Sequence, residues 1–190
     1  MIVSDYDLKH DLETERLYVD PIYHDSVRQS GIDFHLGNEI ARVRSLNEFD
    51  TKSGANSEEW FDREEGLSFV VKPYEKVLCR TIEYMKMPVN LVGLCYLRST
   101  FARLGLFIPP TVIDAGFEGS LTIELFGSSF PIRLHSSDRF MHVIFSRTNS
   151  PSIHEYAGRY QGQIAVTLPR MDNRSLQPIA TKGGKNNGNV

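Results

Sequence analysis

From Leu67 onward the chain is a succession of short runs with alternating apolar residues: LSFVV, EKVLCRTIEYMKM, LVGLCYL, LFIPPTVI, SLTIELF, FPIRLH and RFMHVIFSR. Turn signals recur after roughly ten residues, and this spacing constrains the fold more than any other feature. Alternation with a period of two sends one set of side chains to each face of a pleated strand. Many short strands at that spacing build an all-β barrel or sandwich. Pro88, Pro109, Pro110 and Pro131 must then fall at strand ends, edges or bulges, because proline has no N–H for a ladder. A length of 190 residues suits one core of this kind without disulfide support. Residues 1–175 are therefore assigned to a single domain. Residues 176–190, ending ATKGGKNNGNV with no apolar anchor, are assigned to a flexible tail.

The stretch before Leu67 is less regular. Residues 4–17, SDYDLKHDLETERL, read as a helix with Ser4 at the N-cap and Asp5 and Asp7 in the first turn. SGIDFHLGNEIARV shows short apolar alternation broken by Gly31 and Gly37. Residues 44–66 are polar and acidic with no period, which predicts a partly mobile surface excursion.

Several function classes are excluded on composition. A formal charge of −3 gives no global attraction to nucleic acid. The opening MIVSDYDLKHDLE turns acidic at once, unlike a signal peptide, and no apolar run approaches the roughly 18 residues a membrane helix needs. A cytoplasmic protein is the expectation. The two cysteines, Cys79 and Cys95, sit among apolar residues and read as small buried hydrophobes. None of the six histidines forms an i, i+4 pair, and C-x-x-C is absent. The H-x-E and P-C-x-x-C signature of zinc-dependent nucleobase deaminases is absent too, so no protein-held metal is expected. Without a G-x-S-x-G elbow, covalent catalysis is not indicated.

Three segments carry chemistry. TVIDAGFEGSLTIEL, residues 111–125, combines a glycine-rich bend with a strand. Leu121, Ile123 and Leu125 share one face of it, and Ser120, Thr122 and Glu124 the other. Asp114 stands ahead of the bend. LRSTFARLG places Arg98 and Arg103 around Ser99 and Thr100 at a strand-to-helix junction, a combination that suits phosphate oxygens. EYAGRYQGQ gathers Tyr156, Arg159, Tyr160, Gln161 and Gln163 with two glycines, a composition suited to a ligand-binding lid. Each has a plainer reading taken alone: a solvated carboxylate, a surface helix, a loop between strands.

Their order along the chain changes the odds. MIVSDYDLKHDLE, QSGIDFHLG, LRSTFARLGL, IDAGFEGSLTIEL, FPIRLHSSDRFMHVIFSR and GRYQGQ follow one another as the corresponding blocks do in the trimeric dCTP deaminases and the dUTPases that share their fold. The chain resembles that superfamily over nearly its whole length. The resemblance implies a mainly β, distorted antiparallel β-barrel with a few short helices, assembled as a homotrimer with active sites at subunit interfaces. It implies dCTP or dUTP as ligand, with Mg2+ arriving on the triphosphate rather than in a protein cage.

By the same resemblance, Glu124 matches the glutamate that activates water and shuttles protons at cytosine C4. Ser99 and Arg103 match the residues that position that water and the base. Arg98 matches a phosphate-binding arginine. Asp114 matches the acid on the sugar 3′-hydroxyl, which in dUTPases and bifunctional members also orients water at the α-phosphorus. Phe117 matches the aromatic that packs on the deoxyribose and leaves no room for a 2′-hydroxyl. Tyr156, Arg159 and Gln163 match lid residues over the triphosphate. The expected activity is zinc-independent hydrolytic deamination of dCTP to dUTP and ammonia, with continuation to dUMP as an extension. A dUTP pyrophosphatase and a non-catalytic, nucleotide-binding regulatory trimer are the alternatives.

Overall fold

All the runs expected after Leu67 become antiparallel strands, and the stretch before them supplies four more. The computed structural model describes residues 1–45, 47–52 and 56–171. The expected tail, 176–190, lies outside them. Helix α1 (Asp5–Glu13) leads into β1 (Tyr18–Asp20), β2 (Val27–Arg28), the long β3 (Gly31–Val43) and, after a 3-10 turn at Ser57–Glu59, β4 (Phe61–Glu65). Then follow β5 (Ser68–Val71), β6 (Lys76–Lys86), β7 (Leu91–Leu97), helix α2 (Ser99–Arg103) and β8 (Thr111–Ile113). The last strands are β9 (Glu118–Phe126), β10 (Ile132–His135) and β11 (Arg139–Arg147). Pro88, Pro109, Pro110 and Pro131 all fall between strands, as their missing N–H requires.

One nine-stranded sheet carries most of the chain. Its main path runs β1-β6-β3-β11-β7-β8, with β2 and β4 also paired to β3, and β9 to β6. Strands β5 and β10 form a separate ribbon. The ladders shift register between Leu36 and Ile40 and between Arg80 and Tyr84. Such irregularities bend and twist a sheet, and the result is a curled, half-closed antiparallel barrel. Ile32, Phe34 and Leu36 from β3, and Leu121, Ile123 and Leu125 from β9, fill its interior with Phe69, Phe140 and Phe145. Burying each large apolar side chain contributes about 2 kcal/mol. A smaller apolar cluster joins Ala41 and Leu78 to Val166 and Leu168, with Phe61 packed against it.

The structure corrects three expectations. The first helix ends at Glu13 rather than Leu17, where Thr14 Oγ1 donates to the His10 carbonyl at 2.7 Å and Glu15 takes a φ of 55°. Ser4 holds the N-cap position, but its side chain makes no capping bond. Second, β3 is continuous through Gly37: pairing to β2, β4, β6 and β11 overrides the local weakness of glycine. Third, part of the 44–66 stretch is ordered sheet, because β4 pairs with β3 from Glu39↔Glu65 to Val43↔Phe61. Its polar sequence reflects an edge strand with most side chains outward.

Both cysteines are buried and unpaired. Burial pushes each thiol up to about 12, with the nearby Glu124 carboxylate adding to the effect at Cys79. Among the described residues no helix is long and apolar enough to cross a membrane.

Candidate active site

The turn between β8 and β9 sets the site. Phe117 N–H donates to the Asp114 carbonyl at 3.1 Å, and Met87 N–H donates to the Phe117 carbonyl at 2.8 Å. Gly116, at φ +83°, closes the turn. Phe117 is thereby driven inward and buried, while Asp114 stays exposed. Beyond the turn the alternation of β9 holds as expected. Leu121, Ile123 and Leu125 go to the core, and Thr122 and Glu124 go half-buried to the other face.

That other face is the wall of a pocket of about 780 Å³. Asp114, Phe117, Glu124, Tyr156 and Gln163 all line it, together with Lys76, Thr122 and Tyr160. A smaller cavity of about 400 Å³, lined by His154 and several hydroxyl side chains, shares Asp114 and Tyr156 with it. Glu124 stands opposite Leu78 in the ladder, and among the described residues no cation pairs with its carboxylate.

The segment 155–163, expected as a lid, lies folded along the β8–β9 turn of its own chain. Tyr156 N–H donates to the Ala115 carbonyl at 3.0 Å, and its ring lies 5.8 Å from that of Phe117. Gly162 N–H donates to the Glu118 carbonyl at 2.7 Å, and Ser120 N–H to the Gln163 carbonyl at 2.8 Å. Two side-chain amides complete the seam. Gln161 accepts from Glu118 N–H and donates to the Gly116 carbonyl, both at 3.0 Å. Gln163 Nε2 donates to the Ser120 carbonyl at 2.8 Å. Its Oε1 is buried without a hydrogen-bond partner among the described residues.

Close packing makes the seam possible. A Cβ on Gly116 would lie 2.7 Å from Glu155 Cβ and 2.8 Å from Tyr156 N, and one on Gly119 would lie 2.8 Å from the Gln163 carbonyl oxygen.

The other predicted residues lie elsewhere. Arg98, Ser99 and Arg103 do not line the pocket. Ser99 and Arg103 are exposed on α2, a helix with no buried residue. Arg98 Nη1 donates to the Arg139 carbonyl at 2.9 Å, and its Nε lies 3.3 Å from Asp33 Oδ2. Arg159 is not in the pocket wall either: it donates to the Arg170 carbonyl, and Arg170 donates back to the Arg159 carbonyl.

One group escaped the sequence reading, and another was named there only as part of a motif. Asp33, buried in β3, lies 3.3 Å from Arg98, 3.5 Å from Arg139 and 3.8 Å from Arg28, and accepts from or pairs with His142 Nδ1 at 2.7 Å. An acid inside an apolar strand was the available signal. Gln161 was named in the lid motif without a role of its own, and it bonds the same turn as Gln163. Among the described residues, no group of three His, Cys, Asp or Glu converges to hold a metal.

Comparison with known proteins agrees with the architecture. A model of the family described as "DCD: dCTP deaminase-like" matches residues 2–148. A dCTP deaminase of Metallosphaera sedula is 47% identical over 170 residues, covering 90% of this chain and 98% of that protein. A protein of Sulfolobus islandicus rod-shaped virus 1, named "Probable deoxyuridine 5'-triphosphate nucleotidohydrolase", is 45% identical over 172 residues, 90% of this chain and 100% of its own. The crystal structure of the 2′-deoxycytidine 5′-triphosphate deaminase from Agrobacterium tumefaciens superposes with a TM-score of 0.64 at 19% identity. That match covers 77% of this chain and 48% of the other, and speaks for the fold.

Proposed function

The chain belongs to the dCTP deaminase-like family, and we propose on that basis that it hydrolyses dCTP to dUTP and ammonia. One observation carries the reading. Glu124, half-buried and without a cationic partner among the described residues, shares a pocket with Phe117 and Asp114, and relatives that match nearly the whole chain are dCTP deaminases.

The chemistry needs one group that works in both directions. Glu124 takes a proton from water as the oxygen bonds to C4 of cytosine, and returns it to the amino nitrogen as the C4–N bond breaks. The second water proton passes from the C4 hydroxyl to N3, so the products are a C4 carbonyl with an N3–H and ammonia. No protein-held metal enters this step; Mg2+ comes as part of the substrate, bound to the triphosphate. Phe117 and Tyr156 offer an aromatic wall to the deoxyribose, and Asp114 a hydrogen-bond acceptor to its 3′-hydroxyl.

Arg98, Ser99 and Arg103 fit the reading through assembly. Their helix is exposed and outside the pocket of its own chain, so a homotrimer would bring it to the pocket of a neighbour. A cytoplasmic role in supplying deoxyuridine nucleotides accompanies this activity.

The 45% identical viral relative supports a second reading, hydrolysis of dUTP to dUMP and pyrophosphate with Asp114 orienting the water. A nucleotide-binding regulatory trimer without turnover is a third. Incubating the protein with Mg2+ and dCTP or dUTP, then separating nucleotides by ion exchange, distinguishes them. Conversion of dCTP to dUTP is the expected result, and dUMP from dCTP means that both reactions occur. Inert dCTP with dUTP converted to dUMP overturns deamination. Binding without turnover leaves the regulatory reading.

A further inference from the structure

Beyond the pocket wall, the chain from Ile164 to Arg170 lies against the outer face of the sheet, and its attachment is unusual. Val166 is paired by side chains instead of by a strand. Its N–H donates to Glu39 Oε2 at 3.0 Å, and its carbonyl accepts from Arg63 Nη1 at 2.7 Å. The same Nη1 lies 2.7 Å from Glu39 Oε1. One carboxylate and one guanidinium thus satisfy both polar groups of one buried residue while neutralising each other, as the two sides of a ladder would. Glu39 is 7% exposed and Val166 1% exposed, so water competes weakly for these bonds. The clamp seats Val166 and Leu168 in the cluster with Leu78 and Phe61. It also aligns the next residue, whose N–H donates to Thr122 Oγ1 at 3.0 Å. Thr122, Thr167 and Pro169 line the same pocket as Glu124.

We infer that Arg63 and Glu39 are positioning residues for the reaction: they clamp Val166 so that the C-terminal segment closes one wall of the nucleotide pocket. The inference rests on the proposed reading of that pocket as the deamination site. It gives β4, drawn from an acidic stretch with no period, a task that concerns the site. Neither residue touches the pocket, and both act through Val166 and Thr167.

The test uses the full chain with Arg63→Ala, Arg63→Lys and Glu39→Gln. Losing charge-assisted bonds to a buried backbone is expected to speed amide exchange at Val166 and Thr167 about tenfold or more in Arg63→Ala. Exchange in β6 and β11 stays unchanged. KM for dCTP rises by about the same factor while kcat changes less. Arg63→Lys, which keeps a donor for the Val166 carbonyl, restores most of both. Glu39→Gln keeps an acceptor for Val166 N–H without the ion pair, and falls between. Unchanged exchange at Val166 overturns the clamp. Faster exchange with unchanged KM, or equal acceleration through the whole sheet, overturns the positioning role and leaves Arg63 a stability residue. If the wild-type protein leaves dCTP intact, the proposed function fails, while the exchange data still judge the clamp.

Discussion

Gly116→Ala is the substitution whose consequence can be worked most closely from the geometry. At φ +83° an alanine costs about 1 kcal/mol, because its Cβ crowds the following carbonyl. The new methyl would also stand 2.7 Å from Glu155 Cβ and 2.8 Å from Tyr156 N. Ordinary contact is about 3.5–4.0 Å, so segment 155–163 must retreat by about 1 Å. Tyr156 N–H now reaches the Ala115 carbonyl at 3.0 Å, and at about 4 Å that hydrogen bond is lost, a further cost of about 1 kcal/mol. The φ cost stays in the turn whether or not the segment is attached, so only the second cost, about 1 kcal/mol, favours detachment, and it raises the detached population about fivefold. Limited trypsin digestion under native conditions reads that population through cleavage after Arg159, provided reclosing outpaces cleavage. Urea unfolding followed by tyrosine and tryptophan fluorescence monitors the rest of the fold. The expected outcome is digestion accelerated about fivefold, with global stability lowered by no more than about 2 kcal/mol, both costs together. Digestion at the wild-type rate would refute the steric reasoning. Cleavage that depends on urea as steeply as the main transition does would show that the segment does not open by itself.

Glu124→Gln is expected to lower ammonia release from dCTP by at least about 100-fold while nucleotide binding persists; retained turnover in a coupled ammonia assay removes Glu124 from the mechanism. Burial raises the Glu75 pKa, but the Lys72 amide and the Arg42 guanidinium outweigh it and hold the group below its ordinary 4.5. A depressed carboxylate stabilises the fold above its unfolded pKa and loses that contribution as pH falls through the folded value. Glu75→Gln should therefore destabilise by about 2 kcal/mol at neutral pH and flatten the acid limb of a urea-midpoint titration below pH 4.5; parallel limbs in the two proteins would contradict this. With both thiols pushed up to about 12 by burial, an aromatic disulfide reagent at pH 8 should label Cys79 and Cys95 only as fast as the protein unfolds, and rapid labelling of the native protein would refute it.

Period-two patterns were legible because each strand face reports its own burial. Glu124 on the half-buried side of β9, and Asp114 and Phe117 around the turn, could be placed from that pattern together with the family resemblance, and they do meet in one pocket. What the sequence concealed depends on distant partners. The continuity of β3 through Gly37 comes from strands paired on both sides. Strand β4 has almost no apolar alternation because its order comes from the β3 ladder and from Arg63. Gln161 and Gln163 differ from any polar loop pair only in the backbone groups they meet, more than forty residues earlier. The separation of Arg98, Ser99 and Arg103 from the pocket is a property of one chain's surface, and no local pattern encodes it.

The central place of β3 has a consequence for how the molecule comes into being. Its partners span the chain from Val27 to Ile144, and the N-terminus is stitched to the same late strand, with Val3 N–H donating to the Phe145 carbonyl at 2.9 Å. Pairings that distant must close large loops before any bond offsets the entropy. During synthesis, β3 leaves the ribosome with its apolar face open and waits for β11, more than a hundred residues behind it. A nascent chain stopped before Arg139 therefore holds an uncovered strand edge, and completion of the last strand, rather than any early segment, is the event that commits the polypeptide to its native form.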